Sequence, residues 1–213
     1  HESGRHSKMA LLQRAVSDCP KITMTSTNAN PQAQQMEDES MVRCLAAQAQ
    51  AVWPQELAQI IRYALADSCA VLDVACGTGE ISERLARHMP KAHVTGIDIV
   101  ADHIVRAKSR CSDIADRTHF EVGDAFQLPF ADHTFDFVTC RHFLQAIPNP
   151  ERVLQEAIRV AKPGGRLHVL AEDYSMMHFH PTPELDCDEF WRCGPITFAH
   201  ETGTDLRGGR KMF

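Results

Sequence analysis

The apolar positions of this chain switch repeatedly between two periods. Val71, Leu72 and Val74 form a short apolar run, the mark of a buried strand. Ile81, Leu85 and Met89 then recur every four residues, which places them on one helix face. Between them lies Gly77-Thr78-Gly79, a turn of small residues where backbone can approach a ligand and helix-start N–H groups can face it. The alternation continues downstream. Strands are predicted at Val94–Asp98, Thr118–Val122, Thr134–Cys140 and Arg166–Ala171, with a helix over Ala101–Cys111. Asn149-Pro150 is expected to cap and start a further helix, with Val153, Leu154, Ala157, Ile158 and Ala161 on its buried face. Lys162-Pro163-Gly164-Gly165 is expected to end it. Upstream, Glu37, Asp38 and Glu39 favour a helix start. Pro54 suits the first turn of a second helix, whose apolar face is Leu57, Ile60, Ile61, Ala64 and Leu65. That segment reads as a cover on the sheet edge, or as a lid that brings Trp53 near a bound molecule.

Five strands separated by helices or helix-sized links predict an α/β fold with a parallel sheet and right-handed crossovers. The boundaries read as a variable tail over 1–36, an N-terminal helical segment over 37–67, a ligand-binding domain over 68–173 and a substrate-side segment over 174–213.

Composition narrows the classes. The 213 residues are 44% hydrophobic, enough for a core, and carry a net charge of -6. No dense basic stripe is present, so a nucleic-acid partner is not expected. The eight cysteines include no CxxC pair, and Cys69, Cys76 and Cys140 lie in apolar runs, as reduced thiols do. There is no apolar run of membrane-spanning length and no signal-peptide pattern, so a cytoplasmic location is expected.

In open parallel sheets, ligands bind beyond the carboxyl ends of the strands. Gly77/Gly79, Asp98, Asp124 and Arg141/His142 all follow strands and should meet at one edge. An acid at position 98 is placed to accept hydrogen bonds from both hydroxyls of a ribose. Ser82 occupies the third position of a GxGxxG dinucleotide fingerprint, so that reading fails, and no GK[ST] of a P-loop follows the glycines. Asp73 suits a ligand carrying an ammonium group. An adenosine-type ligand follows.

The segments VLDVACGTG (71–79), GIDI (96–99), GDAFQLPF (123–130), FDFVTCRHFLQAIPNP (135–150) and RVAKPGGRL (159–167) resemble the successive motifs of class I S-adenosylmethionine-dependent methyltransferases. They are most similar to the small-molecule branch of the ubiquinone/menaquinone type, over about residues 70–172. The resemblance implies a Rossmann-like, doubly wound α/β/α sandwich and S-adenosylmethionine as cofactor. It implies that Asp73, Ala75, Gly77 and Gly79 hold the methionine part, with Cys76 among the cofactor-binding positions. Asp98 would bind ribose, Ile99 would pack on adenine, Asp124 and the Ala125 backbone would bind the adenine edge, and Arg141 would lie beside the sulfonium. Ala75 departs from the family's usual Gly. For an acceptor that must lose a proton, His142 is the first candidate base, followed by Asp173 and Tyr174. A substrate on the exocyclic amine of a base is disfavoured, because Thr139-Cys140-Arg141-His142 stands where such enzymes resemble one another in an Asn/Asp-Pro-Pro-Tyr/Phe tetrapeptide. The alternatives are a non-catalytic or truncated cofactor-binding protein and an enzyme of another transfer type. His178, His180, Cys187, Cys193 and His200 lack metal-site spacing, so no metal is expected, and their stretch reads as a loop over the acceptor pocket. No strand pair follows Ala171, so the family's antiparallel hairpin is expected to be missing or beyond this chain.

Overall fold

The computed structural model describes residues 38–174 and 191–211, with Ala33 and Met36. Apart from Ala33 and Met36, the expected tail lies outside the described residues, as does the stretch holding His178, His180 and Cys187.

The strands are β1 (Ala70–Val74), β2 (His93–Asp98), β3 (Thr118–Val122), β4 (Phe135–Arg141) and β5 (Ala161–Leu170). They form one sheet in the order β3-β2-β1-β4-β5. Every neighbouring pair is parallel. The chain winds outward from β1 to β3, then returns to β4 on the other side of β1. The crevice between β1 and β4 is therefore the switch point of a doubly wound, Rossmann-like sheet. Among the described residues, no strand follows Leu170.

Alternation along the strands builds two cores. Val71, Val94, Phe120 and Phe137 point to one face, against α1 (Glu39–Arg62), α2 (Glu80–His88) and α3 (Ala101–Arg110). Leu72, Val74, Ile97 and Val138 point to the other, against α4 (Pro150–Val160). The fourfold spacing read from the sequence seats Ile81 and Leu85 of α2 in the first core. No helix among the described residues is long and apolar enough to cross a membrane.

Three local expectations change. First, α1 is one helix of 24 residues that runs through Pro54. Pro54 lies on the exposed side. The buried stripe Val42, Ala49, Glu56 and Ile60 continues past it, so packing on both sides outweighs one missing backbone bond. Ile61, expected inside, is 58% exposed. Second, the segment from Lys162 to Gly165 does not simply end a helix. β5 already begins at Ala161, and the register jumps from Phe135↔Ala161 to Phe137↔Arg166 around it. Lys162 Nζ donates to both oxygens of Asp136 at 2.9 Å, and Asp136 also accepts from the Ala70 backbone at 2.8 Å, which pins this bulge to β1. Third, Asn149 precedes α4 in a left-handed conformation with φ 53° and makes no side-chain cap. Pro150 does begin the helix, whereas Ile158 faces solvent.

Beyond residue 174 the described chain resumes at Trp191 and includes α5 (Thr197–Thr202) and α6 (Gly208–Lys211). Backbone bonds from Tyr174 N to Leu206 O (2.8 Å) and from Gly209 N to Glu172 O (3.1 Å) hold this segment against the residues just after β5.

Ala75 adopts φ 56°, a left-handed conformation that costs an L-residue about 1–2 kcal/mol. The family's preference for Gly at this place thus has a backbone cause. Ala75→Gly relieves that strain but adds unfolded-chain entropy of about 0.4–1 kcal/mol. The net expectation is a gain of roughly 0.5–1 kcal/mol, read as a rise of a few degrees in thermal melting.

Candidate active site

The carboxyl ends of the strands open into one cleft with about 970 Å³ of atom-free space, its mouth included. Its lining draws on the loops after β1, β2, β3 and β4 and on the N-terminal half of α1, through Leu45, Gln48 and Ala49. Trp53 does not line it. It packs on the α2 side, with the Arg84 guanidinium 5.9 Å from its ring centre.

The turn after β1 is shaped by its dihedrals. Gly77 has φ 54° and a Cβ there would meet nothing within 4 Å, so this backbone is open to the cleft. Gly79 has φ 82°, and a Cβ there would lie 2.9 Å from the Ala107 Cβ, so α3 packs directly on the turn. Cys76 lines the cleft from a largely buried position, and burial pushes its thiol far up, which keeps it neutral and unreactive.

Asp98 closes this turn against β2. One carboxylate oxygen accepts from Gly77 N at 2.8 Å, and the other accepts from Val100 N at 2.9 Å. A carboxylate has about four acceptor sites, so each oxygen retains one for a ligand hydroxyl. Ile99 stands beside it on the cleft wall, 42% exposed. Asp124 and Ala125 form the wall after β3, and Asp124 is held by the Phe126 N–H at 2.9 Å.

Asp73 is placed differently. Its side chain is buried below the cleft, is not among the lining residues, and accepts from Ser82 Oγ at 2.6 Å. Burial raises its carboxyl to about 6, against the opposing Ser82 bond. Between pH 4 and 6 the folded state thus keeps a proton that the unfolded chain has released. Stability falls as pH rises through this window and stays at the lower level above it. Asp73→Asn keeps an acceptor for Ser82 and removes the titration. It is expected to gain up to about 3 kcal/mol over the parent between pH 4 and pH 7, measured as the difference between melts across that range.

Arg141 lines the cleft but its guanidinium is engaged by the buried Glu56 of α1 through two nitrogens. Glu56 also meets His168 Nε2 at 3.3 Å, whose Nδ1 lies 2.9 Å from the Tyr63 hydroxyl. His142, with φ 53°, presents its ring to the cleft. Its Nδ1 is paired with Glu172, which also accepts from Gln48 Nε2 at 3.0 Å. Neither Asp173 nor Tyr174 lines the cleft. Burial and the Glu172 charge push the Tyr174 phenol up, so it is protonated at neutral pH.

Sequence reasoning missed Gln48, Glu56, His103 and Glu172. Only Glu56 carried a signal, since a charged residue stood in register with Ala49 and Ile60 on the buried stripe.

A family described as "Methyltransferase domain" matches residues 65–190. The chain belongs to this family. It is 41% identical over 102 residues to a ubiquinone/menaquinone biosynthesis C-methyltransferase of Roseobacter denitrificans, covering 47% of this chain and 41% of that one. It is 36% identical over 118 residues to a demethylmenaquinone methyltransferase of Listeria monocytogenes, covering 54% and 48%. The chain thus spans less than half the length of these curated relatives. Among solved structures, the PH0226 protein of Pyrococcus horikoshii aligns at TM-score 0.52 and 28% identity, over 67% of this chain and 63% of that one.

S-adenosylmethionine is the cofactor of this family, and the cleft suits it. A backbone turn open to the cleft follows β1, a carboxylate with spare acceptor sites follows β2, and the wall is mostly apolar. No third glycine opens α2 to a pyrophosphate, because Ser82 is buried against Asp73. Among the described residues, no group of His, Cys, Asp and Glu could hold a metal ion.

Proposed function

We propose that this chain uses S-adenosylmethionine to methylate a small ring acceptor that must first lose a proton, of the quinol type. The observation that carries the reading is that a single cleft joins the Gly77–Asp98 corner to the His142–Glu172 pair. The cofactor supplies, when bound, a methyl group already activated on a sulfonium. What is left to the protein is position, exclusion of water and one proton.

In this reading the Asp98 carboxylate takes the ribose hydroxyls, Ile99 packs on the adenine and Asp124 with the Ala125 backbone binds its polar edge. The turn from Ala75 to Gly79 holds the amino-acid part. Asp73 acts from beneath, by fixing Ser82 and hence the start of α2. The Arg141 charge is compensated by Glu56, so Arg141 shapes the cleft without repelling a cationic centre. Glu172 accepts the Nδ1 proton of His142, so the lone pair is on Nε2; it faces Arg141 Nη2 at 3.5 Å, and in this reading the acceptor hydroxyl takes the place of that weak contact. His142 then removes the hydroxyl proton, and the Glu172 carboxylate stabilises the resulting imidazolium. The likeness to quinone-pathway methyltransferases supports a quinol-type ring.

The test is S-adenosylhomocysteine formation with reduced short-chain quinols, phenols, amines and carboxylic acids. Turnover is expected with quinols or phenols. His142→Ala should lower it about a hundredfold or more, and Glu172→Gln about tenfold, with cofactor binding retained. Turnover confined to amines, or undiminished in His142→Ala, contradicts the acceptor assignment.

A further inference from the structure

His103 lies in the first turn of α3, lines the cleft beside Asp98 and is only 2% exposed. Its Nε2 is 2.8 Å from the Met36 carbonyl oxygen. A carbonyl only accepts, so Nε2 carries the hydrogen. In a neutral ring Nδ1 is then a bare lone pair. It is buried, has no hydrogen-bond partner, and stands 3.6 Å from Asp98 Oδ1. Two acceptors thus face each other at the wall of the site. A buried acceptor without a donor costs free energy. Either a proton on His103 or the donors of a ligand can satisfy this pair.

We infer that His103 Nδ1 and the Asp98 carboxylate together receive the ribose hydroxyls of the cofactor, so that only neutral His103 admits it and a protonated His103 holds the site closed. The inference rests on the cofactor reading above and adds a binding residue and a proton to it. In the closed form Nδ1–H donates to Asp98 Oδ1 while Nε2–H stays on the Met36 carbonyl, and every polar atom of the ring is partnered. In the open form the hydroxyls donate to Nδ1 and Asp98 in place of that proton. Binding therefore releases one proton whenever His103 starts out charged.

Burial alone would lower the imidazolium's pKa, but the contacts with Asp98 and the Met36 carbonyl outweigh it and hold His103 above its usual value. The charged groups around it are Asp98 at the end of β2 and Arg106 on α3 itself, which opposes the protonated form. Arg106 is in turn paired at 2.9 Å with Glu39 of α1. Glu80, Asp124, Arg141 and His142 line the same cleft from the other loops.

The experiment is calorimetric titration of the full chain with S-adenosylhomocysteine from pH 5.5 to 8.5, each point repeated in two buffers of different ionisation enthalpy. The parent should lose affinity by about tenfold per pH unit on the acid side, with proton release approaching one. His103→Asn removes the titrating ring and keeps a polar group near Nδ1. Its affinity should be flat with pH and about twofold weaker than that of the parent at pH 8. His103→Leu should be flat and about fivefold weaker at pH 8. His142 is present in all three proteins, so a slope that survives both substitutions belongs elsewhere and overturns the inference. A flat parent profile also overturns it. A folded parent that fails to bind at any pH overturns the cofactor reading first.

Discussion

Asp98→Ala is expected to weaken S-adenosylmethionine binding by about a hundredfold or more. The carboxylate joins two functions at one point. It accepts from Gly77 N and Val100 N, fixing the glycine turn against the end of β2, and in the proposed function its remaining sites take the cofactor's hydroxyls. Losing two hydrogen bonds to a charged acceptor costs about 3 kcal/mol or more. That alone is a factor of at least about a hundred in the dissociation constant. The freed Gly77 N–H adds to the loss by loosening the turn. Asp98→Asn retains one accepting oxygen, so it should fall between parent and alanine, roughly tenfold weaker. Calorimetry on all three proteins reads the series. Unchanged affinity in Asp98→Ala would remove the ribose from this corner of the cleft.

The second large effect is structural. Glu56→Ala should destabilise the fold by about 3–5 kcal/mol, because it leaves the Arg141 guanidinium buried and unpaired. For a domain of this size the melting temperature should drop by about 10 °C or more. Burial works against the ionised Glu56, yet the bonds from His168 and Arg141 outweigh it and hold its carboxyl below the usual value. The pair therefore stabilises the fold at neutral pH, and its contribution falls as acid protonates the carboxylate. The double variant Glu56→Leu with Arg141→Met tests the cause. Replacing both charges by apolar groups should recover most of the loss. If the double variant melts no higher than Glu56→Ala, the damage comes from packing on α1 and not from the orphaned charge.

The sheet was legible because period and topology act together. Apolar runs that switch to a spacing of four residues leave a parallel sheet as the consistent outcome, and the strand-end rule then brings positions 77, 98, 124 and 142 to one edge. The elements that sequence misplaced were those set by packing. Pro54 does not divide α1, since burial on both sides of it outweighs a local preference. Asn149 takes a backbone conformation in place of a side-chain cap. The polar partners of the site were less legible still. Glu172 meets His142 across 30 residues and Glu56 meets Arg141 across 85, and no local pattern marks such pairs. Asp73 shows the converse. A residue in the motif that resembles the family's cofactor site turns inward and bonds Ser82.

The most direct test of the central claim is a titration of the full chain with S-adenosylhomocysteine at pH 8, with NAD as the comparison ligand. One site per chain is expected, with a dissociation constant of about 1–100 µM, in the usual range for enzyme ligands, and no response to NAD. Folded protein that gives no binding at millimolar S-adenosylhomocysteine, or that binds NAD instead, would contradict it.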